Sequence, residues 1–455
     1  MIKILCSLAV ILSLPWQSEA QEPKFEVKFS EPLAVFIFVQ NLSTHVADNP
    51  FKMAFSRSKY NDAPFQQLIE KFDSLHLVYS YEFSDYPFGA RMPLLTDRLL
   101  KKNLIDGGSL SDFAFRTLGI LPNADLQGLT EILSAFTPIY RELIYEPNKA
   151  VFERQLAEIG NYVQTRDIGR YFEMGLTFYG SQWDNAIPFE ICLYPLPDPH
   201  GFTAEAFFNN AVSAIPTNLK DYDLILSIMM HEVYHMMYNE QPLALKDRVR
   251  RWFTSDTSKG STYAYELMNE AFATVLGNGY VYTSLHGSPD TTEWYHQNYI
   301  NAAAHKLYPM VKSYIEGKRT IDLDFVQNYI RLCDPKWLLE MDNLLTYRFV
   351  ISDSDRDFEE IGANYPYASY SDFESPINRG NMEKMSSTPV TKVVIVSGDR
   401  EKEFALIKSV FSELAHTVFR ADCEFTYHVM LKDKTQLIVI NRIRTPTVAL
   451  LKKVF

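Results

Sequence analysis

His231, Glu232, Val233, Tyr234 and His235 spell the pattern HExxH. On an α-helix, residues i and i+4 share one face about one turn apart. His231 and His235 can therefore offer two imidazole nitrogens to a single metal ion. Glu232 falls on the neighbouring flank, where its carboxylate can take a proton from a water activated by that metal. The chemistry is metal-assisted hydrolysis. The competing reading is a pair of hydrogen-bonded core histidines beside a solvated glutamate.

The helix that must position these residues is expected over 221–241. Asp221 can cap it and Asp223 adds negative charge to its first turn. Pro242 closes it. Leu224, Ile225, Leu226, Ile228, Met229 and Met230 are apolar around most of the circumference, which predicts a buried helix.

A catalytic zinc needs three protein ligands and one open position. Met236 to Glu240 lack the glycine and third histidine of a metzincin. The next helix, expected over 263–276, carries Asn269, Glu270, Ala271, Phe272 and Ala273. Here the chain resembles the gluzincins, the thermolysin-like HExxH metallopeptidases. Their third ligand is a glutamate, commonly within NExx or ExxA, on a helix C-terminal to the motif helix.

The resemblance covers roughly 206–279. It implies a zincin-like catalytic core and Zn²⁺ held by His231, His235 and Glu270. It further implies Glu232 as general base and Ala273 as the small residue that lets two helices pack closely. Thr274 stands where the family often has an aspartate orienting a zinc histidine. Its hydroxyl can hydrogen-bond an imidazole but cannot raise its basicity as a carboxylate would. Glu266, one turn before Glu270 on the same face, is the rival ligand. An oxyanion donor is expected downstream. His286, His296, His305, Tyr299 and Tyr308 are candidates that spacing does not separate.

The 455 residues are enough for two or three domains. Hydrophobic residues at 47% and charged residues at 22% are an ordinary globular balance. A formal net charge of −12 argues against broad binding to nucleic acid or anionic lipid, both of which need basic patches. Residues 1–20 read as a secretory signal, with Lys3, an apolar run from Ile4 to Leu14, Pro15, and small residues at Ser18 and Ala20. No later stretch is apolar enough for a transmembrane helix. The expected location is secreted or periplasmic. Beyond the signal, Cys192, Cys333 and Cys423 are odd in number and widely spaced, which is no disulfide framework.

The fold class expected is α+β. Residues 21–172 form a mostly helical region, with apolar periodicity over 31–42, 63–75, 93–104, 109–118, 125–145 and 151–163 after a short strand at 24–29. Residues 173–350 are the expected catalytic domain. Strands at 173–179, 189–194 and 206–215 precede the motif helix, and the last should offer a free edge to an extended peptide. A basic helix over 243–253 carries Lys246, Arg248, Arg250 and Arg251, read as a solvated face. Helices follow at 290–316, 322–332 and 336–349. Residues 351–390, rich in Ser, Asp, Asn, Tyr and Pro, read as a linker, and 391–455 as a separate small α/β unit. The expected function is a secreted zinc metallopeptidase acting on a peptide or protein substrate. The alternative is a secreted binding protein on a zincin scaffold with weak or absent catalysis.

Overall fold

The computed structural model describes residues 23–91, 93–198, 203–333 and 340–454. The expected signal, 1–20, lies outside the described residues. The chain is a mixed α/β protein whose strand-forming runs gather into two mixed sheets and a small ribbon.

The first sheet contains β1 (Phe25–Lys28), and the ribbon pairs β2 (Ser80–Glu82) with β3 (Pro93–Leu95). Three further strands complete the first sheet: β4 (Phe189–Leu196), β5 (Ala204–Phe207) and β6 (Asn210–Pro216). Its order is β1-β4-β6-β5, with β5 antiparallel to the rest and on the outer edge. Central strands β4 and β6 are buried along their whole length, as strands covered on both faces are, and the charge of Glu190 within β4 is answered by Lys28 and Asn210. Cys192 and Tyr194 face the N-terminal helices, whereas Ile191 and Leu193 face the core that surrounds the motif helix (Tyr222–Asn239).

The second sheet joins β7 (Tyr347–Ser352), β8 (Tyr370–Glu374), β9 (Thr391–Val396), β10 (Phe425–Met430) and β11 (Gln436–Asn441) in the order β10-β11-β9-β7-β8. All pairs are parallel except β10 with β11. Helices cover both faces. Phe349 and Ile351 share an apolar layer with Met382, Met385, Phe404 and Ile407, and Val350 lies on the other side with Ile361, Val448 and Leu451.

Several expected elements are corrected. The C-terminal unit begins at β7, not at 391, and 351–390 is not a linker: it holds helix Asp355–Asn364, edge strand β8 and helix Arg379–Ser387. Its polar composition comes from exposed faces, since β8 alternates half-buried with exposed residues. The helix expected over 336–349 shrinks to Met341–Leu344 before β7, with 334–339 outside the described residues.

Residues 173–179 are not a strand. They end the helix Ile168–Tyr179, which buries Ile168, Tyr171, Phe172, Gly175, Phe178 and Tyr179 at helical spacing. Gly175 lets that helix touch the motif helix, because a Cβ there would lie 2.5 Å from the Tyr234 ring. A short apolar run does not by itself distinguish strand from helix.

The strand expected at 206–215 is a hairpin, turning at Phe208 with a left-handed φ of 52°. The free edge therefore belongs to β5, and β6 is interior. Among the described residues no helix is long and apolar enough to cross a membrane. Cys192, Cys333 and Cys423 are free.

Candidate metal centre

Asp221 caps the motif helix by accepting the Leu224 N–H at 3.0 Å. Downstream the helix buries residues around most of its circumference, including His231, Val233, Tyr234 and Met237. Its last carbonyls cannot be answered within the helix. Ser181 Oγ donates to Met237 O at 2.6 Å and Lys246 Nζ to Tyr238 O at 2.8 Å. The basic helix, Leu243–Ser255, is thus not simply a solvated face. Lys246 is 1% exposed, and burial pushes its ammonium down to about 8. Arg248 and Arg251 are exposed.

The ligand helix, Ser261–Thr274, continues as a π-helical stretch, Val275–Val281. π-Helical turns cluster at functional sites. Gly277 in that stretch abuts the motif helix: an added Cβ would lie 2.7 Å from the Cα and N of His231. The closest helix approach therefore falls at Gly277, beyond the fully buried Ala273. The sequence reading missed it, although the Gly277 and Gly279 pair was its visible signal. Tyr263 OH, at the start of the ligand helix, accepts the Gln436 N–H at 2.9 Å and lies 3.1 Å from Thr391 Oγ1. The C-terminal sheet thereby braces the helix that carries Glu270.

These elements bring His231, His235 and Glu270 together. His231 Nε2 lies 3.0 Å from His235 Nε2 and 3.0 Å from Glu270 Oε1, and His235 Nε2 lies 3.4 Å from Glu270 Oε2. One ligand atom from each falls within 4.8 Å of the others. Two imidazole nitrogens facing each other beside a carboxylate call for one positive charge between them, a proton or a metal ion. Burial opposes charge on His235, but Glu270 outweighs it and carries the imidazole up to about 9. Asn269 lies beside His235 and also favours its charged form. Burial raises the Glu232 carboxyl above its usual range, against the pull of His235 and His231.

Glu266 does not join the group. It is buried, its two oxygens have no hydrogen-bond partner, and burial pushes its carboxyl well up, with Lys392 and Asp433 as its charged surroundings. Thr274 Oγ1 and His231 Nδ1 are also without partners, so the hydroxyl orients no imidazole.

No family model, curated protein or solved structure matches this chain.

The expected oxyanion donors are scattered. His286 pairs with Asp223 at 3.1 Å at the start of the motif helix, and His305 stacks on Trp294 at 3.9 Å. Tyr308 packs edge-on to Trp294, and Tyr299 contacts Cys333 and Tyr329. His296 stacks between Tyr295 and Tyr367. The residue beside the centre is Tyr295, absent from the expected set. Its ring stacks on His231 at 6.0 Å and 10°. Burial raises its phenol, and Glu270, within hydrogen-bonding reach, raises it further, as does Glu232. The helix expected from 290 starts at Asn298, so Tyr295 sits on a loop whose facing spacing does not reveal.

Beside Glu270 lies a cavity of about 210 Å³, lined by Asn269, Tyr295, Tyr347 and Tyr367 among others. The C-terminal unit closes it. Across the centre, the Thr203 carbonyl accepts the Ala214 N–H at 3.1 Å. In an antiparallel pair this register turns Glu205 and Phe207 toward β6, and the backbone groups of Ala204 and Ala206 outward. Glu205 is close enough for its charge to raise Glu232.

Proposed function

We propose that the chain is a zinc metallopeptidase, secreted or periplasmic, with a gluzincin-type ligand set in a zincin-like core. The observation that carries this reading is the convergence of His231, His235 and Glu270. Two imidazoles and a carboxylate are a donor set of catalytic zinc, and the two Glu270 oxygens face the two Nε2 atoms. When bound, the metal would supply Lewis-acid polarisation of a carbonyl and acidification of water.

The chain's own residues do the rest. Glu232 accepts a proton from the attacking water and returns it to the leaving amine. Tyr295 donates a hydrogen bond to the carbonyl oxygen as negative charge develops there. The outward N–H and C=O groups of Ala204 and Ala206 pair with an extended peptide and hold its carbonyl beside Glu232.

A second reading has its own observation. His231 Nδ1 lacks the outer partner that metal-ligating histidines usually have, and Thr274 does not provide it. A binding protein on this scaffold would take up zinc and cut nothing. The test is zinc analysis of the purified chain followed by digestion of a mixed peptide library, with and without chelator. One zinc per chain and chelator-sensitive cleavage are expected. Glu232→Gln should keep the zinc and lose about 10²–10⁴ in rate. Failure to take up zinc overturns the metal reading, and zinc uptake without cleavage establishes the binding protein.

A further inference from the structure

The larger cavity lies away from the histidines. It measures about 580 Å³, within the range of small-molecule sites, roughly 300–1,000 Å³. Its walls come from the segment 85–91, the basic helix, the N-terminal half of the ligand helix and the β10–β11 turn. Glu266, 6% exposed, belongs to its wall and also to that of the smaller cavity beside Glu270. The two spaces are neighbours along one helix: eight residues from Thr262 to Glu270 rise about 12 Å.

The charges that face this cavity fall into two groups. Some are committed. Asp433 lies 3.3 Å from Lys392 Nζ and accepts from Thr435, Lys434 Nζ donates to Thr254 O at 3.1 Å, and Arg91 Nε donates to Tyr86 O at 3.3 Å. Five are not. Neither oxygen of Glu266 has a hydrogen-bond partner, and burial pushes its carboxyl up, toward the neutral acid. Among the described residues, the side chains of Asp85, Asp247, Arg250 and Lys432 make no ion pair or hydrogen bond. Apart from Glu266, two carboxylates and two cationic heads thus face one space that also has the aromatic walls Tyr86, Phe88 and Tyr265. An anion would match Arg250 and Lys432 but meet two carboxylates, and a cation would do the reverse. A ligand carrying one charge of each sign, with an aromatic or large apolar group between, matches all of them.

We propose that this cavity is a second ligand site, for a free amino acid or short peptide with both charged termini. The site does not depend on the metal-centre reading, because none of its uncommitted charges belongs to that centre. Its test keeps the two apart. The full chain, stripped of metal by chelator, is titrated calorimetrically with the unblocked dipeptide Gly-Phe and with its N-acetylated, C-amidated form. Saturable binding of one unblocked dipeptide per chain is expected, with the blocked form at least about tenfold weaker. Arg250→Ala and Asp247→Asn should each weaken the unblocked dipeptide about tenfold or more, and His235→Ala should not. Lys432→Ala, at an exposed position, gives the same answer if the helix variants fold poorly. No binding at millimolar dipeptide, equal binding of blocked and unblocked forms, indifference to Arg250→Ala and Lys432→Ala in folded protein, or loss on His235→Ala would each overturn the site.

Discussion

Buried polar groups are handled in opposite ways by the ligand helix and by the C-terminal sandwich. On the ligand helix, Glu266, Asn269 and Thr274 each leave a buried oxygen without a hydrogen-bond partner, and on the facing motif helix His231 and His235 each leave Nδ1 so. In the C-terminal sandwich of β7–β11 and its covering helices, the buried charges of Lys392 and Asp357 are answered. Lys392 Nζ donates to Val390 O at 3.0 Å and Thr435 Oγ1 at 2.9 Å, and Asp357 accepts from Ser352 at 2.6 Å and Thr447 at 2.5 Å. Glu403 and Gln436 leave one oxygen each. Each unanswered buried group costs about 1–3 kcal/mol, so a cluster of them in one helix marks a place where another requirement overrides stability.

The largest way to break this contrast is to remove the groups themselves. Glu270→Ala should weaken zinc by more than about a hundredfold, because losing even an outer partner of a ligand costs about 10–100-fold. Glu266→Ala should leave zinc uptake unchanged. Equilibrium dialysis with metal analysis reads both, and zinc loss in Glu266→Ala would move the ligand role. Tyr295→Phe should follow, lowering kcat by about 10²–10³ with zinc retained, the usual cost of one oxyanion donor. An unchanged kcat would return Tyr295 to a purely packing role against His231.

Lys246 tests whether an unfavourable burial near the motif helix is real. Its folded value of about 8 lies below the ordinary 10.5. Between those values the unfolded chain binds more protons, so this group's contribution to stability rises with pH. The contribution is full above 10.5 and lost as pH falls through 8. A shift of that size corresponds to about 3 kcal/mol. In chemical denaturation, stability of Lys246→Met minus wild type should therefore fall by about 3 kcal/mol between pH 7 and 10.5. A difference that does not change with pH would mean the ammonium is solvated.

The legible and illegible parts of the sequence divide along the same line. The HExxH spacing, Asp221 and the NExxA segment singled out the three residues that converge, because i to i+4 geometry and capping are local. The edge strand was placed one strand out of register, because Ala206 to Ile215 hides a left-handed turn at Phe208 that a non-glycine residue does not announce. Tyr295 was invisible because its facing depends on where a helix begins. The C-terminal unit was cut at 391 because β8 alternates half-buried and exposed residues and its place in the sheet rests on pairing with β7, which the expected helix over 336–349 concealed.

Two glycines put the contrast in its smallest form. Gly277 and Gly362 both lie in helical segments, and an alanine ordinarily favours a helix by about 1 kcal/mol over glycine. At Gly362, in the sandwich, a Cβ would meet nothing within 4 Å, so Gly362→Ala should stabilise by about 0.4–1 kcal/mol. At Gly277 the same methyl would sit 2.7 Å from the backbone of His231, which has no rotamer to give way. Overpacking of this kind costs about 1–3 kcal/mol, enough to reverse the helix gain. Because the atom displaced belongs to His231, Gly277→Ala should also weaken zinc, whereas Gly362→Ala should not. Denaturation midpoints and zinc titration of the two variants side by side read both effects. If Gly277→Ala stabilises the chain as Gly362→Ala does, the close contact that seats His231 is absent, and the candidate metal centre owes its geometry to other residues.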